Sequence, residues 1–459
     1  MRRKITEELL AWKNDRKGKC LTVQGQRQVG KTYIIEEFAR GHYGSFVEID
    51  FTKTPEMKHA FERAVDVDSV IRELSLRLNG TVFTPHDTLI FLDEIQECPE
   101  ARASLKWFAQ DGRYDVISSG SLLGVRNLSA KRNRKKEESA KPLSPMGYEK
   151  VLTMRSMDFE EYLWAVGFDQ GSLDRIKGKI SGRTPLDESE LEVMTAHFRD
   201  FTIVGGMPAA VAAFVRTKQY SEAGRELDVI LGDVVNDINR YNDPVNAMKT
   251  QRCFESIPEH LSASNKKFQF SRLERSSGSR ATAEKYSENL LWIEGAGYGN
   301  FCYGLVSPTL PFKRIEDLFK IYLSDTGMLI RMMGQAAAMA VYEGRTDYNA
   351  GAVTENVIAE CLAKNGIGPR FYRKSGGKNQ MEIDFVTVLL DESVAIEVKS
   401  GKTRSSPSIE KVNEVFCVDR RMMFENGNIS VDGDGIEHYP LFAAAFIRLL
   451  EREYGGPEF

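Results

Sequence analysis

Two rhythms of apolar and polar positions run along the chain. Leu21–Gln24, Phe46–Phe51, Thr88–Leu92 and Tyr114–Ser118 are short β-prone runs separated by segments with apolar residues at helical spacing. Strand–helix alternation of this kind predicts a mostly parallel sheet covered by helices on both faces. Residues 151–245 change register: Asp158–Trp164 and Leu227–Ile238 place apolar residues three and four apart, so this stretch is predicted to be helical. Residues 250–335 mix short helices with strand-like pieces. Residues 350–400 return to a helix, with Val353, Val357, Cys361 and Leu362 on one stripe, followed by two alternating strands.

One segment breaks both rhythms. Residues 126–147 contain AKRNRKKEESAKPLSP, and from Val125 to Lys150 there are eight Lys or Arg against three Glu. The plain expectation is a solvated connector; the sharper one is an arm that contacts phosphates.

The strand Leu21–Gln24 runs into Gly25-Gln26-Arg27-Gln28-Val29-Gly30-Lys31-Thr32, which fits G-x-x-x-x-G-K-[ST]. Ile34, Ile35, Phe38 and Ala39 follow at helical spacing, with Gly41 as the expected helix stop. Glycines let successive N–H groups curl around phosphate oxygens, and the helix start adds its positive dipole end. Lys31 is the expected point charge for the β- and γ-phosphates of ATP, and Thr32 the expected hydroxyl ligand of Mg²⁺. A bare glycine turn between strand and helix has no need of Lys-Thr here.

The run Thr88-Leu-Ile-Phe-Leu ends in Asp93-Glu94. A buried strand that stops in two carboxylates marks the carboxyl edge of a parallel sheet. Asp93 is expected to hold Mg²⁺, directly or through water, and Glu94 to orient or deprotonate the attacking water. Val116-Ile-Ser-Ser-Gly-Ser reads as a further strand whose Ser119 would lie between the two earlier tips and contact the γ-phosphate or the water.

With Gln26–Thr32, Leu92–Glu97 and Ser119–Ser121 in place, the chain resembles the AAA-type P-loop ATPases of bacteria and archaea that carry a C-terminal DUF4143 domain. Asp158-Phe-Glu-Glu-Tyr-Leu, Gly205-Gly-Met-Pro, Tyr322-Leu-Ser-Asp-Thr-Gly and Ala395-Ile-Glu-Val-Lys-Ser-Gly stand in that family's order, so the resemblance covers nearly the whole chain. It implies an α/β protein in four parts. These are a P-loop ATPase domain over 1–150, a helical connection over 151–245, a winged-helix-like domain over 246–335, and a region over 336–459 resembling a PD-(D/E)xK restriction-endonuclease fold.

The residues of the last two parts bear on these expectations. Tyr286, Leu290 and Ile293 share one side of a predicted helix, and Gly297–Pro308 has strand and turn character, as a winged helix requires. Between Ser264 and Tyr286, Lys266, Lys267, Arg272, Arg275, Arg280 and Lys285 stand against Glu274 and Glu284, an excess suited to DNA phosphates. In Met381-Glu-Ile-Asp384 and Ser393–Lys399, period-two geometry puts Val394, Ile396 and Val398 on one side and Glu397 and Lys399 on the other. On the nuclease pattern Asp384 and Glu397, with Glu355, would bind a divalent metal, and Lys399 would stabilise the attacking hydroxide or the phosphorane charge. Ile383 stands where that pattern usually has Pro. An ordinary amphipathic strand with polar residues outward is the plain alternative.

Composition narrows the partners. The 459 residues are 42% hydrophobic and 28% charged, an ordinary balance for globular domains, which argues against a disordered or fibrous chain. Lys plus Arg is 62 against 66 Asp plus Glu, a net charge of −4, so nucleic-acid contact would have to be local. Cys20, Cys98, Cys253, Cys302, Cys361 and Cys417 are scattered without a CxxC pair, which predicts reduced thiols. The charged N-terminus lacks the apolar stretch of a signal peptide, and Phe201–Val215 is interrupted by Gly205, Gly206 and Pro208, so a cytoplasmic protein without a membrane span is expected. Two functions follow: an ATPase coupled to domains that bind, and in the strong form cleave, DNA; or an ATP-gated regulator or scaffold with a non-catalytic nuclease-like domain. Arg102 and Arg113 are the nearest candidates for an arginine finger, with a homo-oligomer or a protein partner as the setting.

Overall fold

The computed structural model describes residues 1–15, 17–122, 147–274, 282–345, 349–374, 376, 380–401 and 406–451. The basic segment at 126–147 lies outside them except for its last residue, and Arg275 and Arg280 lie outside as well. The chain divides into two compact units, Arg2–Ser156 with Gly295–Gly297, and Met157–Glu294 with Tyr298–Phe459.

The first unit is built on a five-stranded sheet. Its strands are β1 (Cys20–Gly25), β2 (Ser45–Asp50), β3 (Thr88–Asp93), β4 (Asp115–Gly120) and β5 (Glu149–Met154), in the spatial order β2-β3-β4-β1-β5. Every pairing is parallel. β1, β3 and β4 are buried along their whole length, which explains why they read as apolar runs and not as alternating ones. The helix after β1 is Lys31–His42, which buries Ile34, Ile35, Phe38 and Ala39. It passes Gly41, which faces open space, by one residue and closes when Tyr43 N–H donates to Ala39 O.

The second unit carries helices over residues 159–262 and an eight-stranded mixed sheet. The strands are β6 (Gly299–Leu305), β7 (Arg314–Leu323), β8 (Arg370–Lys374), β9 (Met381–Leu389), β10 (Glu392–Val398), β11 (Arg420–Glu425), β12 (Ser430–Val431) and β13 (Glu437–Pro440), in the order β12-β13-β11-β10-β9-β8-β6-β7. The hairpin after the helix Ala283–Ala296 is β6–β7, and it forms one end of this sheet. Tyr286, Leu290 and Ile293 are buried, as their spacing predicts. Phe159, Phe198, Phe201 and Phe446 pack ring on ring in the helical part.

Three of the motifs behind the family resemblance meet in one buried knot of this unit. Asp158 caps the helix Phe159–Ala165 through a reciprocal box with Glu161. The carboxylate of Asp325 accepts from Gly206 N–H at 2.8 Å and caps the helix Thr326–Met333. A Cβ on Gly205, whose φ is +75°, would stand 2.1 Å from Asp325 Oδ1, and one on Gly327 would stand 2.6 Å from Gly205 N. Glycine at 205 and 327 therefore lets two backbones touch. Glu360 and Lys364, both on the helix Ala350–Lys364, close the knot: Lys364 Nζ donates to Glu360 Oε1 at 2.5 Å and to Met157 O at 2.7 Å, and Thr326 N–H donates to Glu360 Oε2 at 2.7 Å.

Among the described residues no helix is long and apolar enough to cross a membrane. All six cysteines are free, and five of them are buried.

Candidate functional site

In the first unit the chain leaves β1 at Gly25, turns through Gln26–Gly30 and enters the helix at Lys31. Two residues of the turn, Gln28 (φ +61°) and Gly30 (φ +90°), have left-handed backbone, which curls the loop back on itself. Arg3 braces the loop by donating to Val29 O at 2.9 Å, and its other nitrogen holds Arg155 O at 2.7 Å. Gly25 lies in register with Met154 of β5, and a Cβ there would stand 2.3 Å from Met154 O. Lys31 is buried; its ammonium donates to Gly25 O at 3.0 Å and Gln26 O at 2.9 Å, so the loop holds its cation over its own mouth.

The tips of β1, β4 and β3 lie side by side because β4 is inserted between the other two. Thr32 Oγ1 donates to Asp93 Oδ2 at 2.9 Å. Ser119 Oγ bonds Asp93 Oδ1, and Glu94 N–H donates to that oxygen at 3.0 Å. The structure thus brings Lys31, Thr32, Asp93 and Ser119 to one end of the sheet. Glu94 turns off the strand with φ +53°, and its side chain bonds Gln96.

Two acids that sequence reasoning missed join this edge. Glu48 and Asp50 of β2, with Asp93, offer ligand atoms within 4.8 Å of one another, the one such group of three among the described residues. Burial and neighbouring acids push the Glu48 carboxyl up. Burial works the same way on Asp50, but hydrogen bonds from Lys53 and Thr52 hold it below its usual value. The signal was in Val47-Glu-Ile-Asp, where alternation puts both acids on one face of a strand parallel to β3. An oxygen-rich edge beside a hydroxyl and a lysine suits Mg²⁺ and phosphate. Both arginine-finger candidates are engaged in ion pairs. Arg102 pairs with Glu149 at 3.4 Å, and Arg113 with Asp111 and Asp68, each at 2.7 Å.

The second unit holds the C-terminal carboxylates. Helices Ala350–Lys364 and Pro407–Val415 both lie against β10, so that strand is buried along its whole length, and Glu397 is 7% exposed. The polar side of the strand therefore faces a covered cluster and not solvent. Lys399 Nζ sits 2.7 Å from Glu397 Oε1, while Glu397 Oε2 is buried with no hydrogen-bond partner among the described residues. Asp384 Oδ2 accepts from Val398 N–H at 3.0 Å. Burial, with Glu355 and Glu397 nearby, pushes the Asp384 carboxyl well above the usual range.

Glu355 is held differently. Burial favours its neutral form, but Lys320 and Lys266 outweigh that and keep the carboxyl below its usual value. Lys266 bonds one of its oxygens, and Tyr322 O–H donates to the other at 2.9 Å. Lys320 on β7 lies 3.6 Å from Glu355 Oε2 and 3.3 Å from Glu382 Oε1. Sequence reasoning missed Lys320 and Tyr322, although a lysine inside Phe319-Lys-Ile-Tyr-Leu, an otherwise apolar strand, was a sign of a buried charge. Lys266, one of the cations expected to meet DNA phosphates, is paired with Glu355. Two others of that set are also paired, Lys285 with Glu274 and Arg272 with Glu259 at 3.6 Å.

Residues 17–163 match an AAA domain family (AAA_14), residues 195–338 a domain of unknown function (DUF8612), and residues 350–441 a domain of unknown function (DUF4143). A search of curated proteins gives no match. Among solved structures, the Walker-type ATPase PABY2304 of Pyrococcus abyssi is similar at 14% identity and a TM-score of 0.42, over 72% of this chain and 95% of its own. PCH-2 of C. elegans is similar at 10% identity and a TM-score of 0.24, over 47% and 60%. The chain thus carries an AAA-type ATPase domain match over residues 17–163 and a DUF4143 match over residues 350–441.

Proposed function

We propose that the chain binds Mg²⁺–ATP at Gly25–Thr32, hydrolyses it, and uses the turnover to change how its second unit engages DNA. The observation that carries the first half is the hydrogen-bonded line Thr32–Asp93–Ser119, which joins the start of the helix after the loop to the tips of β3 and β4. Phosphate oxygens entering the loop exchange with Gly25 O and Gln26 O as partners of the Lys31 ammonium, and the loop amides and helix start share the negative charge. Thr32 and Asp93 would hold Mg²⁺, with Glu48 and Asp50 behind them, and Glu94 would act on the attacking water.

Support for the second half comes from the order of elements. Helix 350–364, the meander β8–β9–β10, helix 407–415 and then β11 parallel to β10 is the arrangement expected of a nuclease-like core. Asp384 and Glu397 sit on its central strands, and Glu397 Oε2, which has no hydrogen-bond partner among the described residues, fits a cation. A divalent ion there would polarise a phosphodiester, and Lys399 would offset developing negative charge.

The test is phosphate release from ATP with and without single- and double-stranded DNA, at low and high salt. The proposal expects salt-sensitive stimulation by DNA. ATP turnover indifferent to DNA, together with no salt-dependent DNA association, would remove the second half. A second reading, an ATP-gated regulator or scaffold, is favoured by one observation: the lysines that already neutralise Glu355. Metal-dependent DNA cleavage that is lost in Lys399→Ala would rule it out.

A further inference from the structure

Buried carboxylates that converge need positive charge, and metal-dependent sites obtain it from the metal. Here lysines already supply it. Lys320 is 1% exposed and lies between Glu355 and Glu382, with its ammonium 4.9 Å from the centre of the Phe371 ring. Lys266 reaches Glu355 from the segment after helix 257–262, 89 positions away in sequence. Its own backbone is left-handed, with φ +46°, a conformation that a non-glycine residue adopts when its surroundings impose it. Between Lys266 and Tyr322, each oxygen of Glu355 is bonded. Glu355, Asp384 and Glu397 accordingly do not form a group of three with ligand atoms within 4.8 Å. Among the described residues the oxygen of the cluster left without a hydrogen-bond partner is Glu397 Oε2.

We propose that Lys266 and Lys320 are built-in counter-ions that hold Glu355 out of the metal shell, and that Lys266 is the exchangeable one. Lys320 is sealed inside; the Lys266 side chain is 20% exposed and can withdraw. With Lys266 in place, Asp384 and Glu397 alone face a divalent ion and bind it weakly. When Lys266 leaves, Glu355 becomes the third carboxylate and affinity rises. The inference rests on the nuclease-like reading of this site and assigns it a latch.

The experiment is titration of the nucleotide-free full chain with Mn²⁺, read as free ion by electron paramagnetic resonance. Asp93→Asn is present throughout to weaken the ATPase edge. Lys266→Met is expected to tighten Mn²⁺ binding tenfold or more, Glu355→Gln added to it to reverse the gain, and Asp384→Asn to abolish binding in either background. Melting curves check that each variant is folded. Equal Mn²⁺ affinity with and without Lys266→Met overturns the latch. Tight binding by the parent that Glu355→Gln weakens overturns it too, while leaving the metal site standing. If no variant takes up Mn²⁺ at millimolar concentration, the latch and the metal site both fall.

Discussion

Gly25→Ala is the smallest change that should disable the phosphate loop. The added methyl would stand 2.3 Å from Met154 O and 3.3 Å from Met154 C. Ordinary C···O contacts begin at roughly 3.3 Å, so the overlap is about 1 Å. Its partner is backbone, fixed by the parallel register of Gly25 with Met154, and no side-chain rotation relieves it. Overpacking of this kind costs about 1–3 kcal/mol, and a backbone clash belongs at the upper end. If the loop moves to escape, its amides lose their aim and Mg²⁺–ATP affinity falls by up to about 150-fold, the equivalent of about 3 kcal/mol. If the loop stays, the cost appears as a lower melting temperature. Calorimetric titration with a non-hydrolysable ATP analogue and thermal melting together capture both outcomes. Gly41→Ala, in open space on the following helix, is the control and should stabilise by up to about 1 kcal/mol. Gly25→Ala protein that binds nucleotide within twofold of wild type and melts at the same temperature would refute the reasoning.

Two further outcomes concern the second unit. Lys364→Met keeps the stem but strips Glu360 Oε1 and Met157 O of their donor, at a cost of about 3–5 kcal/mol; faster amide exchange across helix 350–364 should report it, and Glu360→Gln in the same chain should restore part of the loss. Asp384→Asn should raise stability at neutral pH in metal-free buffer by about 1 kcal/mol or more, because burial and neighbouring acids hold that carboxyl well above its usual range. Its sign follows from proton count. The folded chain keeps a proton that the unfolded chain releases near the usual value of about 3.9, so wild-type stability falls as pH rises from there through the raised value. The variant's advantage should therefore vanish near pH 4 and grow toward pH 8, as melting at both ends would show; an advantage independent of pH contradicts it.

The phosphate loop was legible because its chemistry is contiguous: Gly25 to Thr32 is one turn, and Asp93 closes one strand. Ser119 was readable only through an assumed strand order, which the insertion of β4 between β1 and β3 bears out. Glu48 and Asp50 escaped notice because nothing local to β2 says that it lies beside β3. The C-terminal cluster was half legible for a similar reason. Asp384 and Glu397 lie on neighbouring strands with Lys399 just past the second, but the cations that decide the state of Glu355 come from β7 and from the segment after helix 257–262. Alternation along β10 left an outward polar face open as the plain alternative, whereas helices cover the strand and the charges answer one another. The glycine motifs at 205 and 327 carried no readable meaning until Asp325 was seen between them.

The most direct measurement is steady-state phosphate release from Mg²⁺–ATP by the wild-type chain and by Lys31→Ala, purified and shown to be folded by matching melting curves. Removing the ammonium that the loop holds over Gly25 O and Gln26 O should abolish turnover while leaving the second unit intact. Undiminished ATP hydrolysis by Lys31→Ala, or no hydrolysis by either protein, would contradict the assignment of this loop as the seat of catalysis.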